Sequence, residues 1–240
     1  MPTVELHNQP PFGLVLRRLY ESIAERGVLN TCHRFWRTIR SRLREWRLGI
    51  RTTGSISGSE MDFDAASFGY QPVPYASFDA AIRCMTIRPD KDVFIDYGCG
   101  MGRAVVLAAT YPFRRVIGVE RSGSLSEIAR DNIARASSKL KCAEVSIATL
   151  DAREYDVPND ATHIFLFNPF DEPVLASVLT RIRRSLEEHP RELVIIYALP
   201  KCRHDPLLDV PWLKLTHELK TIDSDWQRLA VYEARMESQK

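Results

Sequence analysis

The sequence contains 240 residues, of which 45% are hydrophobic and 27% are charged, and its formal net charge is +2. This composition is ordinary for a soluble globular protein. No segment reaches the roughly 18 to 20 apolar residues of a transmembrane helix, and the first residues lack a signal-peptide pattern. The five cysteines show no Cys-x-x-Cys spacing, so we expect reduced thiols, no disulfide framework, no metal site and a cytoplasmic location.

Positive charge is concentrated in residues 1–51, which hold ten Arg and four Glu and therefore carry +6, whereas the other 189 residues carry −4. Two helices are predicted in this basic N-terminal extension, over residues 14–26 and 33–48. The second is amphipathic, because apolar side chains recur every three or four residues while arginines fill many of the remaining positions. Its apolar side chains are Phe35, Ile39, Leu43 and Trp46.

Three interpretations of this arginine-rich helix remain open. It can be a solvated helix packed on its own catalytic domain, a surface that meets an acidic partner or nucleic acid, or an attachment to a membrane surface. The Gly- and Ser-rich residues 52–64 that follow are predicted to be a linker. Residues 65–240 are then the main domain.

A segment rich in tyrosine and proline opens the main domain. Tyr70 and Tyr75 enclose two prolines, Pro72 and Pro74, a composition that is unfavourable for a regular helix. We expect this segment to cross the mouth of the site with the two tyrosines as lid residues. The alternative is that both tyrosines pack the segment onto the edge of the sheet. A helix from Ala76 should lead into the first strand.

The most informative feature of the sequence is an apolar strand that runs into a glycine-rich turn. The strand covers residues 93–97, and the glycines that follow are Gly98, Gly100 and Gly102, with Asp96 two residues before the first of them. Glycine suits such a turn, because the backbone must approach a ligand closely and positive φ is accessible to glycine. The pattern is typical of a turn that binds a nucleotide cofactor.

Arg103 distinguishes this turn from one that binds a dinucleotide. An NAD-binding turn has its third glycine at this position, where a small residue allows the helix to pack closely on the strand. With arginine there, the turn suits a cofactor without a pyrophosphate, and S-adenosylmethionine (SAM) is the candidate. An NAD-dependent enzyme is correspondingly disfavoured.

Acidic residues follow the second and third predicted strands. The second strand, residues 115–120, ends in Glu120, which can accept hydrogen bonds from both hydroxyls of a ribose. The third strand, residues 143–150, is followed by Asp151 and Ala152. The expected partner of Asp151 is the adenine amino group; alternatively, Asp151 caps a short turn.

The remaining elements alternate between strand and helix. Strands are predicted over residues 162–168 and 191–199, with a helix over residues 171–188 between them. The last two strands, residues 213–221 and 226–234, are separated by only four residues, so they should form an antiparallel hairpin. We therefore predict an α/β fold, a doubly wound and mostly parallel seven-stranded sheet with a C-terminal antiparallel hairpin, preceded by the N-terminal helical extension.

The turn from Asp96 to Gly102, with Glu120 and Asp151 after the next two strands, resembles the class I SAM-dependent methyltransferases. The resemblance covers residues 65–235 and implies the strand order 3-2-1-4-5-7-6. Together with Asn168-Pro169-Phe170 and the tyrosine–proline segment, the sequence looks most similar to a bacterial branch related to histone-lysine methyltransferases of the telomeric-silencing type. The cofactor-binding residues implied are Tyr75, Asp96, Gly98, Cys99, Gly100, Gly102, Glu120, Asp151, Ala152 and Asn168.

The chemistry depends most on Asn168, Pro169 and Phe170, which are the predicted catalytic residues. Methyl transfer is an in-line displacement, so the protein must hold a lone pair on the order of 3 Å from the methyl carbon. The Asn168 amide oxygen and the Pro169 carbonyl can accept hydrogen bonds from a neutral amine, and Phe170 can supply an apolar wall. Similar Asn-Pro-Pro-aromatic motifs serve amino-group methylation, although the second proline is absent here. The alternative is a plain turn at a strand end.

We therefore expect methyl transfer to an amine, such as a protein lysine. A lysine must lose its proton before or during transfer, and a dry apolar channel favours this by lowering its pKa. Among the histidines only His204 is placed to face the site, and an oxygen acceptor would need such a base far more. Two alternatives remain: an O-methyltransferase of a small molecule, and a non-catalytic module that binds SAM or a partner through its arginine-rich helix.

Overall fold

The computed structural model describes residues 27–53, 70–167, 170–200, 204–219 and 227–235. The chain divides into two compact units, Met1–Arg44 and Glu45–Lys240. Several predicted features lie outside the described residues, namely the helix over residues 14–26, most of the linker, Asn168 and Pro169, and the tip of the C-terminal hairpin.

The described residues form five α-helices. They are α1 (Val28–Leu48), α2 (Tyr75–Arg83), α3 (Arg103–Ala109), α4 (Gly123–Ala136) and α5 (Glu172–Glu188). Local signals fix two of the starts, because the side chains of Ser122 and Asp171 accept hydrogen bonds from the amides of Leu125 and Val174 as N-caps of α4 and α5. The helix predicted over residues 33–48 begins five residues earlier than expected.

Seven strands form one sheet in the order β3-β2-β1-β4-β5-β7-β6, which confirms the predicted topology. Strands β1 to β5 pair in parallel, and β7 pairs antiparallel with both β5 and β6. The strands are β1 (Val93–Tyr97), β2 (Arg115–Glu120), β3 (Glu144–Thr149), β4 (His163–Phe167), β5 (Val194–Pro200), β6 (Leu213–Leu219) and β7 (Gln227–Ala234).

Helices cover both faces of the sheet, as a doubly wound fold requires. Ile95 and Tyr97 of β1 belong to the core cluster that includes Leu175 and Ile182 of α5. Phe94 belongs to the cluster on the other face, with Phe78 of α2. Because successive strand residues point to opposite faces, Tyr97 and Asp96 face opposite ways at the carboxyl end of β1. This end of the strand carries the candidate site.

None of the described helices combines the length and the apolar character that crossing a membrane requires.

Candidate active site

The glycine-rich turn joins β1 to α3 at the carboxyl edge of the sheet. All three predicted glycines have positive φ: +70° at Gly98, +53° at Gly100 and +78° at Gly102. The amides of Gly98 and Cys99 both donate to the carbonyl of Val119 near the end of β2, at 2.8 and 3.1 Å. Residues with a Cβ rarely adopt positive φ, so the turn needs glycine for its backbone conformation.

Two glycines of the turn also make contacts too close for a side chain. A Cβ at Gly100 would lie 2.3 Å from Cε2 of Tyr70, and one at Gly102 would lie 3.0 Å from the Cβ of Ala129 in α4. The ring of Tyr70 therefore lies directly on Gly100, and its hydroxyl donates to the Thr52 carbonyl at 2.9 Å. In this way Tyr70 covers the turn.

A further glycine, Gly118 in β2, supports the turn and was missed by sequence reasoning. A Cβ there would lie 2.6 Å from the Sγ of Cys99 and 2.7 Å from Cδ1 of Ile147. The Cys99 thiol is buried, and burial raises its pKa well above the usual value. Cys99 therefore packs the turn rather than acting as a thiolate. The only sequence signal for this contact was a glycine inside an apolar strand.

Two carboxyl groups are buried at the carboxyl edge of the sheet. Asp96 in β1 is 3% exposed, and Glu120 at the end of β2 is 7% exposed. Burial raises the pKa of both, and the neighbouring charge of Glu120 raises that of Asp96 further. Two like charges shielded from water destabilise each other unless a cation compensates them. The pair therefore favours a positively charged ligand.

Glu120 also holds the turn in place. Its Oε2 accepts a hydrogen bond from the amide of Gly100 at 2.8 Å, and its Oε1 accepts one from the amide of Ser122 at 2.9 Å. Each carboxylate oxygen retains a second lone pair, so the predicted ribose contact is compatible with these bonds. Sequence reasoning missed the structural role, in which Glu120 fixes the turn relative to β2.

Asp151 and Ala152 follow β3 at the same edge of the sheet. The Asp151 carboxylate binds Arg153 through two hydrogen bonds, from Nε at 3.0 Å and from Nη2 at 2.7 Å, and it also accepts one from the Arg153 amide. The side-chain hydrogen bonds from Arg153 lower the pKa of Asp151 to about 2. This is the turn-capping arrangement that the sequence left as an alternative. The contact with adenine stays a prediction, and Ala152 is buried in the core beside it.

Arg103, the first residue of α3, is buried against the turn. Instead of lying free as a surface cation, its guanidinium donates four hydrogen bonds of 2.7 to 3.1 Å. The sequence indicated only that this residue is unsuited to NAD. In the structure it connects the turn to the segment that precedes the sheet domain. Its acceptors are Thr52 Oγ1, the Val73 carbonyl, Glu45 Oε1 and Thr53 Oγ1.

Residues 45–53, called the strap below, lie against the turn through these bonds. Glu45 Oε1 also accepts from the hydroxyl of Thr52 at 2.6 Å, so the buried acid links the last turn of α1 to Thr52. The Asn132 amide nitrogen in α4 donates to the carbonyls of Arg51 and Met101, at 3.1 and 2.9 Å. The strap thus contacts both helices that flank the turn.

Tyr75, the second predicted lid residue, begins α2 and is buried. The Arg103 guanidinium lies 4.6 Å from the centroid of its ring, a cation–π contact. Tyr75 therefore reaches the region of the turn through Arg103, whereas Tyr70 contacts the turn directly. One predicted lid residue thus contacts the turn, and the other contacts the arginine that begins the helix after it.

An aromatic cluster lies beside the carboxyl ends of β1 and β4. The ring of Phe170 meets Tyr97 edge to face at 6.5 Å between centroids, and Tyr97 meets Tyr155 at 5.8 Å. Among the residues that the structure describes, the buried hydroxyl of Tyr97 has no hydrogen-bond partner. Asn168 and Pro169 come directly before Phe170 but lie outside the described residues. These three rings are called the aromatic wall below.

Four histidines with described side chains lie in other elements than β1 and the segment of Phe170. His163 begins β4 at the opposite edge of the sheet, and burial lowers its pKa to about 4. His204, the predicted candidate base, is exposed beyond β5, and its Nε2 is 2.7 Å from Oδ2 of Asp209. His189 follows α5, and His217 lies in the edge strand β6. In the described ranges no group of His, Cys, Asp or Glu side chains is arranged to hold a metal ion.

The residues of the turn fit SAM. The three positive-φ glycines allow a ligand to approach the backbone, and the buried Asp96–Glu120 pair matches a cation such as a sulfonium or an ammonium. The guanidinium of Arg103 is directed to protein acceptors rather than offered to a pyrophosphate. When bound, SAM supplies a methyl group already activated for transfer.

Comparisons with known proteins agree with the site. Residues 94–189 match a family described as a methyltransferase domain. The fold is similar to that of an RNA methyltransferase from Salinibacter ruber in complex with S-adenosyl-L-homocysteine, with 20% identity and a TM-score of 0.50 over 71% of this chain and 97% of that chain. A search of curated proteins finds no match.

Two further solved structures share the fold. A SAM-dependent methyltransferase from Aquifex aeolicus has a TM-score of 0.53 at 11% identity, covering 65% of this chain and 89% of that chain. A TehB-like SAM-dependent methyltransferase from Corynebacterium glutamicum has a TM-score of 0.50 at 15% identity, covering 67% of this chain and 88% of that one. At these identities the structures show a common fold, and the family match adds the class of domain.

Proposed function

Because the chain is a SAM-dependent methyltransferase, we propose that its methyl acceptor is an amine, with a protein lysine as the first acceptor to test. The observation that supports this choice is the aromatic wall. This wall, formed by Tyr97, Tyr155 and Phe170, lies beside the carboxyl ends of β1 and β4. Asn168 and Pro169 directly precede Phe170 in the chain. No described histidine lies at the carboxyl end of β1 or β4. An apolar surrounding without a strong base suits a neutral amine better than a hydroxyl.

For the cofactor, we propose that the turn residues Gly98, Cys99, Gly100 and Gly102 give the backbone surface on which SAM lies. Asp96 then offsets its positive charge, and Glu120 holds the ribose while keeping its bonds to the turn. The neighbouring residues proposed to complete the site are Tyr75, Asp151, Ala152 and Asn168.

For the acceptor, we propose that Asn168 and Pro169 orient the amine. The Asn168 side-chain oxygen and the Pro169 carbonyl accept hydrogen bonds from its N–H groups, so the lone pair points to the methyl carbon. The new N–C bond forms as the C–S bond breaks, with the electron pair moving to sulfur. The extra proton of the methylated amine is then released to solvent. Phe170 supplies the apolar wall that favours the neutral amine before transfer.

The test is transfer of labelled methyl from SAM to matched acceptors. We expect product with lysine-containing peptides or small primary amines and none with phenols or other hydroxyl compounds. Asn168→Ala should lower turnover at least tenfold while changing the SAM dissociation constant, measured by calorimetry, by no more than about threefold. Asn159→Ala, an exposed asparagine before β4, is the matched control and should change neither quantity.

Two results would contradict the proposal. Transfer to hydroxyl acceptors alone would make the protein an O-methyltransferase. SAM binding with no transfer to any acceptor class, and equal behaviour of Asn168→Ala and the wild type, would favour a non-catalytic binding module.

We also propose that the enzyme works in the cytoplasm, where the free thiols of the described cysteines would stay reduced.

A further inference from the structure

Helix α1 carries an unusual concentration of exposed apolar side chains. Of the six large hydrophobic residues that are exposed in the described part of the chain, five lie on α1 and the sixth is Leu208. Trp46 is 78% exposed and Trp36 is 62% exposed. Soluble proteins tolerate single exposed hydrophobic residues, but a contiguous set including two tryptophans indicates a surface that meets something apolar. The other three residues are Val28, Phe35 and Leu43.

These side chains share one side of the helix. At about 100° per residue, all five fall within an arc about 100° wide, and Ile39 lies near its centre. Exposed arginines border the arc on both sides, with Arg42 at one edge and Arg47, followed by Arg40, at the other. We call these five apolar residues with Ile39 and the three bordering arginines the α1 face.

The last turn of α1 is attached to the sheet domain by a different side of the helix. Glu45 is buried in its contacts with Arg103 and Thr52, and Leu48 packs against the hydrophobic core. Trp46 points away from these two residues, because it is about 100° from Glu45 and about 160° from Leu48 around the axis. Glu45 and Leu48 thus hold the end of α1 by a side of the helix that does not belong to the α1 face.

We propose that the α1 face binds the surface of an anionic lipid membrane, with the helix lying in the plane of the interface. Tryptophan combines a large apolar ring with a polar N–H and suits the boundary between headgroups and acyl chains. Arginines at the borders of an apolar arc can extend their guanidinium groups to lipid phosphates while the arc enters the membrane. The charge of +6 in residues 1–51 complements a negatively charged leaflet.

The same features fit nucleic acid and self-association less well. A duplex would use the arginines but would leave the apolar arc uncovered. A single strand could stack its bases on the aromatic rings but would leave the aliphatic side chains of Val28 and Leu43 uncovered. A second copy of the helix would cover the arc but would bring the bordering arginines of two chains together, and like charges repel. A membrane satisfies both the apolar arc and its cationic borders.

The experiment is co-sedimentation of the full chain with vesicles. Vesicles of equal parts phosphatidylglycerol and phosphatidylcholine are compared with vesicles of phosphatidylcholine alone and with a 20-base-pair DNA duplex. We expect binding to the anionic vesicles at least about tenfold tighter than to the neutral ones, with a blue shift of tryptophan fluorescence. Binding should weaken as the salt concentration rises.

Two variants test the two parts of the α1 face. Trp36→Ser with Trp46→Ser removes the aromatic anchors, and Arg40→Glu with Arg42→Glu reverses two border charges. Each double variant should lower the affinity for anionic vesicles at least about tenfold. The matched controls are Lys139→Glu with Lys141→Glu, which changes the net charge by the same amount at exposed sites elsewhere, and Leu208→Ser. Both controls should bind like the wild type.

Several outcomes would overturn the proposal. One is no sedimentation with anionic vesicles by wild-type protein that binds SAM normally and is therefore folded. Another is equal loss in the lysine control, which would attribute binding to net charge alone. Binding to the duplex in place of vesicles would assign the α1 face to nucleic acid. A dimer that the tryptophan variant dissociates, without vesicle binding, would assign it to a second copy. Because the test reads lipid binding, its result is independent of the methyl acceptor.

Discussion

Two aspartates at opposite ends of β1 are both buried, yet their surroundings shift their pKa in opposite directions. Burial acts to raise the pKa of Asp92, but hydrogen bonds from the side chain and the amide of Arg88 outweigh it, and its pKa lies below the usual value. Asp96 has Glu120 as its charged neighbour instead, and its pKa lies well above the usual value. The amino end is thus electrostatically balanced within the protein, and the carboxyl end is not.

This difference locates function in the sheet without reference to any known protein. Buried acidic groups that repel one another destabilise the free protein, and such groups are typical of sites that bind a ligand or carry out a reaction. The uncompensated carboxyl groups therefore indicate that the functional site lies at the carboxyl end of β1. The amino end shows what the same strand looks like when only stability matters. Arg103 adds a second contrast, because it holds the carboxyl end from the side without touching the two unbalanced acids.

The largest effect is expected from Arg103→Met, which removes the guanidinium that holds the strap by its hydrogen bonds to Glu45 and Thr52. The variant leaves Glu45 buried without its ion-pair partner at 3.1 Å, and it should lower the free energy of unfolding by about 3 to 5 kcal/mol in urea titration. Arg183→Met, at an exposed arginine of α5, should change it by less than about 1 kcal/mol. A loss below that value for Arg103→Met would show that the carboxyl end does not depend on this anchor.

The amino end should be the part that fails in acid. Because the pKa of His163 falls from 6.5 to about 4 on folding, the unfolded chain takes up its proton first. The stability attached to His163 is therefore complete above pH 6.5 and is lost as the pH falls toward 4, by about 3 kcal/mol in all. His163→Gln should flatten this part of the stability profile measured by urea titration at each pH. His189→Gln, at an exposed histidine, should leave the wild-type profile unchanged.

Packing under the turn can be tested with two glycines. Gly118→Ala places a methyl 2.6 Å from the Cys99 Sγ and should cost about 1 to 3 kcal/mol of stability and weaken SAM binding, because the turn must shift. Gly123→Ala has nothing within 4 Å of the new methyl and should be neutral or slightly stabilising. Thermal unfolding and SAM calorimetry on both variants provide the comparison. Equal stability and equal SAM affinity of the two variants would mean that the packing around Gly118 can accommodate a methyl group without moving the turn.

The smallest changes in stability are expected from substituting each of the two aspartates in turn. Asp92→Asn should lower stability by about 1 kcal/mol, because Arg88 loses a charged acceptor. Asp96→Asn should raise the stability of the SAM-free protein by about 1 kcal/mol at neutral pH. The wild-type carboxyl must either keep a buried charge or take up a proton on folding, because its pKa is raised, and asparagine requires neither. The gain should vanish as the pH falls to the usual aspartate pKa, where the wild-type carboxyl is also protonated. SAM affinity should fall only for Asp96→Asn; if it stayed unchanged, Asp96 would not belong to the cofactor site.

Local signals predicted the doubly wound sheet and the turn, whereas the order of the strands was predicted from the resemblance to class I SAM-dependent methyltransferases. Strand and helix alternate along the chain, and glycines at alternate positions from Gly98 to Gly102 indicate a backbone with positive φ. Asp96 and Glu120 could be predicted for the same reason, since each is one of the last two residues of an apolar strand. These features need no knowledge of which distant residues meet.

The features that the sequence did not predict depend on contacts between segments that are distant in the chain. Arg103 meets Glu45 and Thr52, which are more than fifty residues away in the chain, and nothing in their spacing indicates a shared hydrogen-bond network. Gly118 is explained only by the side chains of Cys99 and Ile147 around it. The proposed acceptor site includes Asn168 and Pro169, which lie outside the described residues, so both its composition and its geometry stay predictions.

The position of β7 also affects how the sheet is built during synthesis. Strand β7 comes after β6 in the chain but lies between β5 and β6 in the sheet. When a ribosome has released β1 to β6, the first five strands can pair, but β6 has no neighbour to join. An exposed edge on β5 must therefore persist until β7 emerges, and that interval is when the nascent protein is most open to mispairing with another chain.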